Sequence, residues 1–134
     1  MIADRKAVTA LIPILKEDDP AARFYAAKAL GNLGSDEAVK PLSESLSDEK
    51  CSVRYMALKA IAKIGGSSSV DALIEALKND DEKVREMAAK ALGDLKDKKA
   101  ESALIDAKND DSDAVRVAAS KSLKKIKEEN IESD

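Results

Sequence analysis

Hydrophobic residues along the chain come in short bursts at helical spacing, separated by polar turns. Val70, Leu73, Ile74 and Leu77 form an i, i+3, i+4, i+7 stripe, the signature of one helical face. After the polar run Lys78-Asn79-Asp80-Asp81-Glu82, the residues Val84, Ala88, Ala91, Leu92 and Leu95 form a second such stripe. The couplet predicts two helices joined by a turn. It recurs with a period of 31 residues, most visibly in Arg23, Arg54, Arg85 and Arg116. Leu11, Leu42, Leu73 and Leu104 keep the same interval, as do Ala26, Ala57, Ala88 and Ala119. Two further apolar columns are Leu30, Ile61, Leu92, Leu123 and Leu33, Ile64, Leu95, Ile126. The units fall at 5–35, 36–66, 67–97 and 98–128, followed by a tail at 129–134.

The ends of the predicted helices carry their own signals. Asp19-Pro20 reads as an N-cap followed by proline at the first helical position. Gly34 and the pair Gly65-Gly66 stop the second helices of the first two units. The column Asp4, Ser35, Gly66 and Asp97 is expected to cap the first helices. Pro13 and Pro41 fall inside predicted first helices, so those helices either kink there or start later. A lone hairpin of this size cannot bury its apolar face, whereas stacked hairpins share a continuous core. The expected fold is therefore all-α: a single domain over 1–134, an α-α superhelix (solenoid) of four 31-residue helical hairpins, right-handed or gently curved.

Composition narrows the chemistry. The chain has 134 residues, 44% hydrophobic and 37% charged, which is enough apolar material for a core without disulfides or metal. It has no His and one Cys, so His-based catalysis, His-ligated metals and a cysteine zinc site are excluded. Aromatics are 2%, too few for base-stacking platforms. No apolar run approaches a membrane span, the first residues lack a signal-peptide core, and the expected compartment is the cytoplasm.

The run Ala38-Val39-x-Pro41-Leu42, with Asp48 and Val53-Arg54-x-x-Ala57-x-x-Ala60-Ile61-x-x-Ile64-Gly65, resembles the HEAT-like repeat of the phycobilisome-lyase type. So does Val84-Arg85-x-x-Ala88-Ala89-x-Ala91-Leu92-Gly93. The resemblance implies that the first helix of each unit lines a convex side and the second a concave side, and that the concave side binds other macromolecules. It implies no single activity. Of the proteins with similar repeats, bilin lyases attach a tetrapyrrole through paired subunits, and nothing in this sequence marks that chemistry. Deoxyhypusine hydroxylases hold iron with His-Glu pairs, which a chain without His cannot do. HEAT-like DNA glycosylases need a basic, aromatic-bearing groove, whereas this chain has a net charge of −3. Unit 4 departs from the pattern, with Glu101, Lys108 and Lys124 where unit 3 has Val70, Leu77 and Gly93, as expected of a C-terminal cap.

Several side chains are candidates for a binding site. The arginine column reads as a structural ladder to turn carboxylates and carbonyls, the rival reading being a row of anion hooks. Lys28, Lys59, Lys90 and Lys121 are predicted to project from the concave side, where they could steer an acidic partner or simply solubilise the helix face. Phe24 and Tyr55 share one repeat position, Tyr25 adjoins it, and Gly31, Ala62 and Gly93 run alongside as an expected shallow floor. Such aromatics suit a binding hot spot, or else they cover the open end of the array. Ile2, Ile12 and Ile14 leave unit 1 without a clear polar cap, so the chain is expected to be a monomer or a weak dimer through that end. Cys51 has no base, the acidic turns lack calcium-loop spacing, and Ser67-Ser68-Ser69 sits in no nucleophile motif.

The expected function is a non-enzymatic protein-binding scaffold or adaptor. Phe24, Tyr25 and Tyr55 would anchor a partner, and Lys28, Lys59 and Lys90 would attract its acidic groups. The alternative is a non-catalytic subunit of a lyase-like or other enzyme complex that presents a cofactor or substrate. No cofactor or metal is expected, and the charge balance argues against nucleic acid.

Overall fold

The structure is a computed structural model that describes residues 2–133, with side chains from 4 to 128. Among these residues there are eight α-helices and no strand. They are α1 (Ile2–Leu11), α2 (Pro20–Leu33), α3 (Val39–Glu44), α4 (Cys51–Ile64), α5 (Gly66–Ala76), α6 (Glu82–Leu95), α7 (Glu101–Ala107) and α8 (Asp113–Ser133). Short 3-10 turns at Ile12–Lys16, Asp36–Ala38, Ser45–Ser47 and Lys98–Ala100 flank the first helices of three hairpins. The helical hairpins anticipated from the 31-residue period are therefore present. Internal packing divides the chain into two compact units, Met1–Ala72 and Leu73–Asp134, with the division inside α5.

In unit 1, α2 packs along α4, and α3 packs on α4. Val8, Leu30, Leu42, Val53, Leu58 and Ile61 are its largest fully buried side chains. In unit 2, α6 packs along α8 and α7 packs on α8, over a core that includes Leu73, Val84, Leu92, Leu104, Val115 and Ile126. The α2–α4 and α6–α8 crossings are close because a small residue sits at each. A methyl group added at Gly31 would lie 2.8 Å from the Ala60 Cα, and one at Gly93 would lie 2.8 Å from the Ser122 Cα. Gly31 and Gly93 are buried helix contacts, which corrects their reading as a shallow floor beside the aromatics. Repeat periodicity places a small residue without saying whether a neighbouring helix or a ligand needs the space.

Helix ends follow local chemistry. The Asp19 carboxylate accepts from the Ala21 N–H at 3.0 Å, and Asp81 accepts from the Lys83 N–H at 2.8 Å. Gly34 (φ 72°) and Gly65 (φ 67°) end α2 and α4 as expected, donating back to Leu30 and Ile61. At the matching position after α6 the chain uses Lys96, at φ 55°. The proposed cap column holds at two of its four members. Ser35 and Asp97 accept from the N–H groups of Glu37 and Lys99. Asp4 instead lies within the first turn of α1, and Gly66 opens α5 at φ 79°. The prolines are resolved differently from each other. α1 ends at Leu11, and Pro13 enters a 3-10 turn; Pro41 stands in the first turn of α3, where its missing N–H costs nothing.

The terminal hairpins differ from the expected caps. Lys108 and Lys124 reach solvent as anticipated, but Ile105 is 53% and Val117 52% exposed, so the C-terminal hairpin is not a clean polar cap. At the other end, Ile12 and Ile14 are half-buried, and the Ile2 side chain lies outside the described residues.

Candidate protein-binding face

The arginine column builds the turns beneath the second-helix face. In each hairpin the arginine Nη1 donates to the carbonyl six residues earlier: Arg23 to Glu17 (2.7 Å), Arg54 to Asp48 (2.7 Å), Arg85 to Asn79 (2.8 Å) and Arg116 to Asp110 (2.6 Å). Two of the arginines also reach a carboxylate in the following hairpin. Arg23 Nε donates to Asp48 Oδ2 at 2.8 Å and its Nη2 to Oδ1 at 3.2 Å. Arg85 repeats this fork on Asp110, at 3.0 and 3.2 Å. The same carboxylates accept the N–H of Lys50 and Ser112, so each also closes its own turn. The hydrogen bond to Asp48 raises the Arg23 pKa further, and that to Asp110 does the same for Arg85. Burial alone would push the Asp110 carboxyl up; the Ser112 N–H and the Arg85 guanidinium outweigh it and hold it below the usual aspartate range. Arg23, 7% exposed, is a structural clamp rather than an anion hook. The partner 25 residues ahead was not evident from sequence, because it depends on how one hairpin packs on the next.

In unit 1, Tyr25 stands 64% exposed on α2, and its ring meets Phe24 edge-on with centroids 5.1 Å apart and planes at 88°. Phe24 and Tyr55 are half-buried, and the Arg54 guanidinium lies 5.9 Å from the Tyr55 ring centroid. Lys28 on α2 and Lys59 on α4 are both exposed. Lys63 Nζ donates to Asn32 Oδ1 at 2.6 Å, tying the two helices near their C-terminal ends.

In unit 2, Lys90 is exposed on α6 but paired with Glu86 at 3.2 Å, one helical turn back. Lys83 adds a contact at 3.5 Å, and the Lys90 hydrogen bond leads the effects that hold the Glu86 carboxyl below its ordinary range. A groove of about 490 Å³ runs between α6 and α8, lined among others by Glu86, Lys90, Val117, Lys121 and Ser122. Lys125 closes one end on Asp94 at 2.8 Å, the counterpart of Lys63 on Asn32. The structure thus sets Phe24, Tyr25, Lys28, Tyr55 and Lys59 on unit 1 and Lys90 on unit 2. Sequence reasoning missed this groove, although the replacement of the aromatic at position 55 by Val117 two repeats on was a signal that space opens there.

Cys51 is exposed at the start of α4, and no cluster of ligating side chains suited to a metal occurs among the described residues. None of their helices is long and apolar enough to cross a membrane.

The model of the HEAT repeat family matches residues 8–86 and 70–131. Among solved structures, the complex of CpcE and CpcF of phycocyanin lyase from Nostoc sp. PCC7120 is similar, with a TM-score of 0.65 and 24% identity over 92% of this chain and 66% of that one. Two engineered proteins are similar at TM-scores of 0.59 and 0.60, with 24% and 27% identity, each over 95% of this chain and 65% and 66% of theirs. The chain therefore spans just under two thirds of the length of those structures. Among curated proteins none matches it. Matched over most of its length and built of repeated helical hairpins, the chain belongs to the HEAT repeat family.

Proposed function

We propose that this chain is a non-enzymatic binding scaffold that holds an acidic segment of a protein partner on the α2–α4 face. The observation that carries this reading is the union of an aromatic pair, Tyr25 exposed and Phe24 half-buried, with uncompensated positive charge. Tyr25 and Phe24 pack edge-on, Tyr55 lies on the neighbouring helix, and Lys28 and Lys59 make no ion pair among the described residues. Rigid aromatics supply contact area at low entropic cost, while exposed lysines raise the rate of encounter with an acidic surface. Lys90 contributes less, since Glu86 already neutralises it. The test is affinity capture with wild type and with the Phe24→Ala, Tyr55→Ala double variant, each checked for native helicity. The expected result is a partner held by wild type and lost by the variant, with an association rate that falls as salt rises. Equal capture by both would remove the site.

A further inference from the structure

Three large hydrophobic side chains stand out as exposed among the described residues: Tyr25, Ile105 and Val117. Their positions in the repeat share one property. In unit 1, Ile12 lines a cleft of about 320 Å³ against Pro41, Glu44 and Ser45 of the next hairpin. In unit 2, Ile74 lines the same cleft, about 420 Å³, against Ser102, Ala103 and Asp106. Ile105 is the next member of the Ile12 and Ile74 column, so it occupies the lip that would face a following hairpin. The N-terminal counterparts of Pro41, Glu44 and Ser45 are Ala10, Pro13 and Ile14, an apolar surface turned to where a preceding hairpin would lie. On the second helices, Val117 stands one repeat after Glu86, and Tyr25 three repeats before Ala118, and Glu86 and Ala118 line the same groove.

The charge ladder ends in the same complementary way. Arg23 and Arg85 each fork onto the carboxylate 25 residues ahead. Arg116 keeps the carbonyl bond to Asp110, but its side chain is 40% exposed and, among the described residues, its ion pair is with Asp113 on its own helix. At the other end, Glu17 occupies the repeat position of Asp48 and Asp110 and is exposed. Its carbonyl serves Arg23, as theirs serve Arg54 and Arg116, while its carboxylate meets no cation among the described residues. Among the described residues, one end offers an arginine without a forward carboxylate, and the other a carboxylate without a preceding arginine.

We propose that the α7–α8 hairpin of one copy docks head-to-tail on the α1–α2 hairpin of a second copy, with Arg116 forking onto Glu17, Ile105 on Ala10, Pro13 and Ile14, and Val117 against Tyr25. The contact is heterologous, so it propagates beyond a dimer unless the rotation closes a ring. Lys121 and Lys28 come near each other across it, as Lys90 and Lys121 do around the groove in unit 2, and this keeps the contact weak.

Sedimentation velocity of this chain from micromolar to millimolar concentration tests it. Wild type should sediment faster with concentration, past the value for a dimer. Glu17→Arg sets like charges against each other at every junction and should weaken self-association about tenfold or more. Arg116→Glu should do the same. An equimolar mixture of the two restores opposite charges at every mixed junction and should regain the association that each has lost. Arg116→Glu also gives up the bond to Asp110, so helicity is checked by circular dichroism; Glu17→Arg alters an exposed side chain and carries the test if Arg116→Glu misfolds. A wild-type chain that stays monomeric, an assembly that stops at the dimer, or Glu17→Arg associating like wild type would each overturn the proposal. So would a mixture of two folded variants that fails to recover.

Discussion

Replacing Gly93 by alanine sets two effects of similar size against each other. By helix propensity alone, alanine in the last turn of α6 should stabilise by at most about 1 kcal/mol. The structure argues the reverse. The new methyl would stand 2.3 Å from Ser122 Oγ, 2.7 Å from its Cβ and 2.8 Å from its Cα. Rotating the serine side chain relieves only the first of these. The other two involve atoms fixed by the backbone of α8, and ordinary carbon contacts need roughly 3.5–4.0 Å. The helices must therefore part by about 1 Å, and overpacking of this kind costs about 1–3 kcal/mol. Displacing Ser122 also strains its buried bond to the Ala89 carbonyl, now 2.6 Å, for about another 1 kcal/mol. The net expectation is destabilisation of about 2 kcal/mol. Urea unfolding followed by circular dichroism at 222 nm reads it as a lower midpoint, with the slope checked because repeat proteins can depart from two-state behaviour. Adding Ser122→Gly, which removes the Cβ and Oγ, should recover part of the loss. A Gly93→Ala protein as stable as wild type, or more so, would refute the reasoning.

Three other outcomes follow from local features. Lys96 holds a left-handed conformation (φ 55°) where the two preceding hairpins have glycine, so Lys96→Gly should stabilise by about 0.5–1 kcal/mol in the same assay. Ser69 is fully buried with an unpartnered hydroxyl, in a column where Ala38 and Ala100 are also fully buried, so Ser69→Ala should raise the thermal midpoint by the equivalent of about 1 kcal/mol. Because the Asp110 pKa is depressed on folding, its stabilising contribution is complete above the unfolded value near pH ~4 and is lost as pH falls through the native value. Asp110→Asn should therefore lower stability at neutral pH and flatten its fall in acid, as measured by urea midpoints across pH.

The legible part of this molecule was what repeats within one hairpin. Leu30, Ile61 and Leu92 fill the core, Asp19 caps α2, and Gly34 and Gly65 end their helices, each from signals within a few residues. The third hairpin shows the limit of that reading: Lys96 makes the same turn without a glycine to announce it. Contacts between hairpins were harder. The acidic residues near each arginine were visible, but the one that receives the Arg23 fork lies a full turn further along the chain. The small-residue column was read correctly as a column and wrongly as a surface, because only packing shows that Ala60 and Ser122 lie against Gly31 and Gly93. At the candidate site, exposure of Lys28, Lys59 and Lys90 followed from the helical face, while the Glu86 partner of Lys90 depended on side-chain geometry.

The forward reach of the arginines also bears on how the chain is made. A protein leaves the ribosome from its N-terminus, at about 5–20 residues per second. Arg23 emerges before Asp48, the carboxylate it clasps, and Arg85 before Asp110. The first hairpin of each pair therefore waits a few seconds with its guanidinium unclasped, until the next turn has been synthesised. Asp48 also closes its own turn through Lys50, as Asp110 does through Ser112, so in these two pairs the later turn locks the earlier one. The first and third hairpins are thus secured in arrears, by the hairpin synthesised after each.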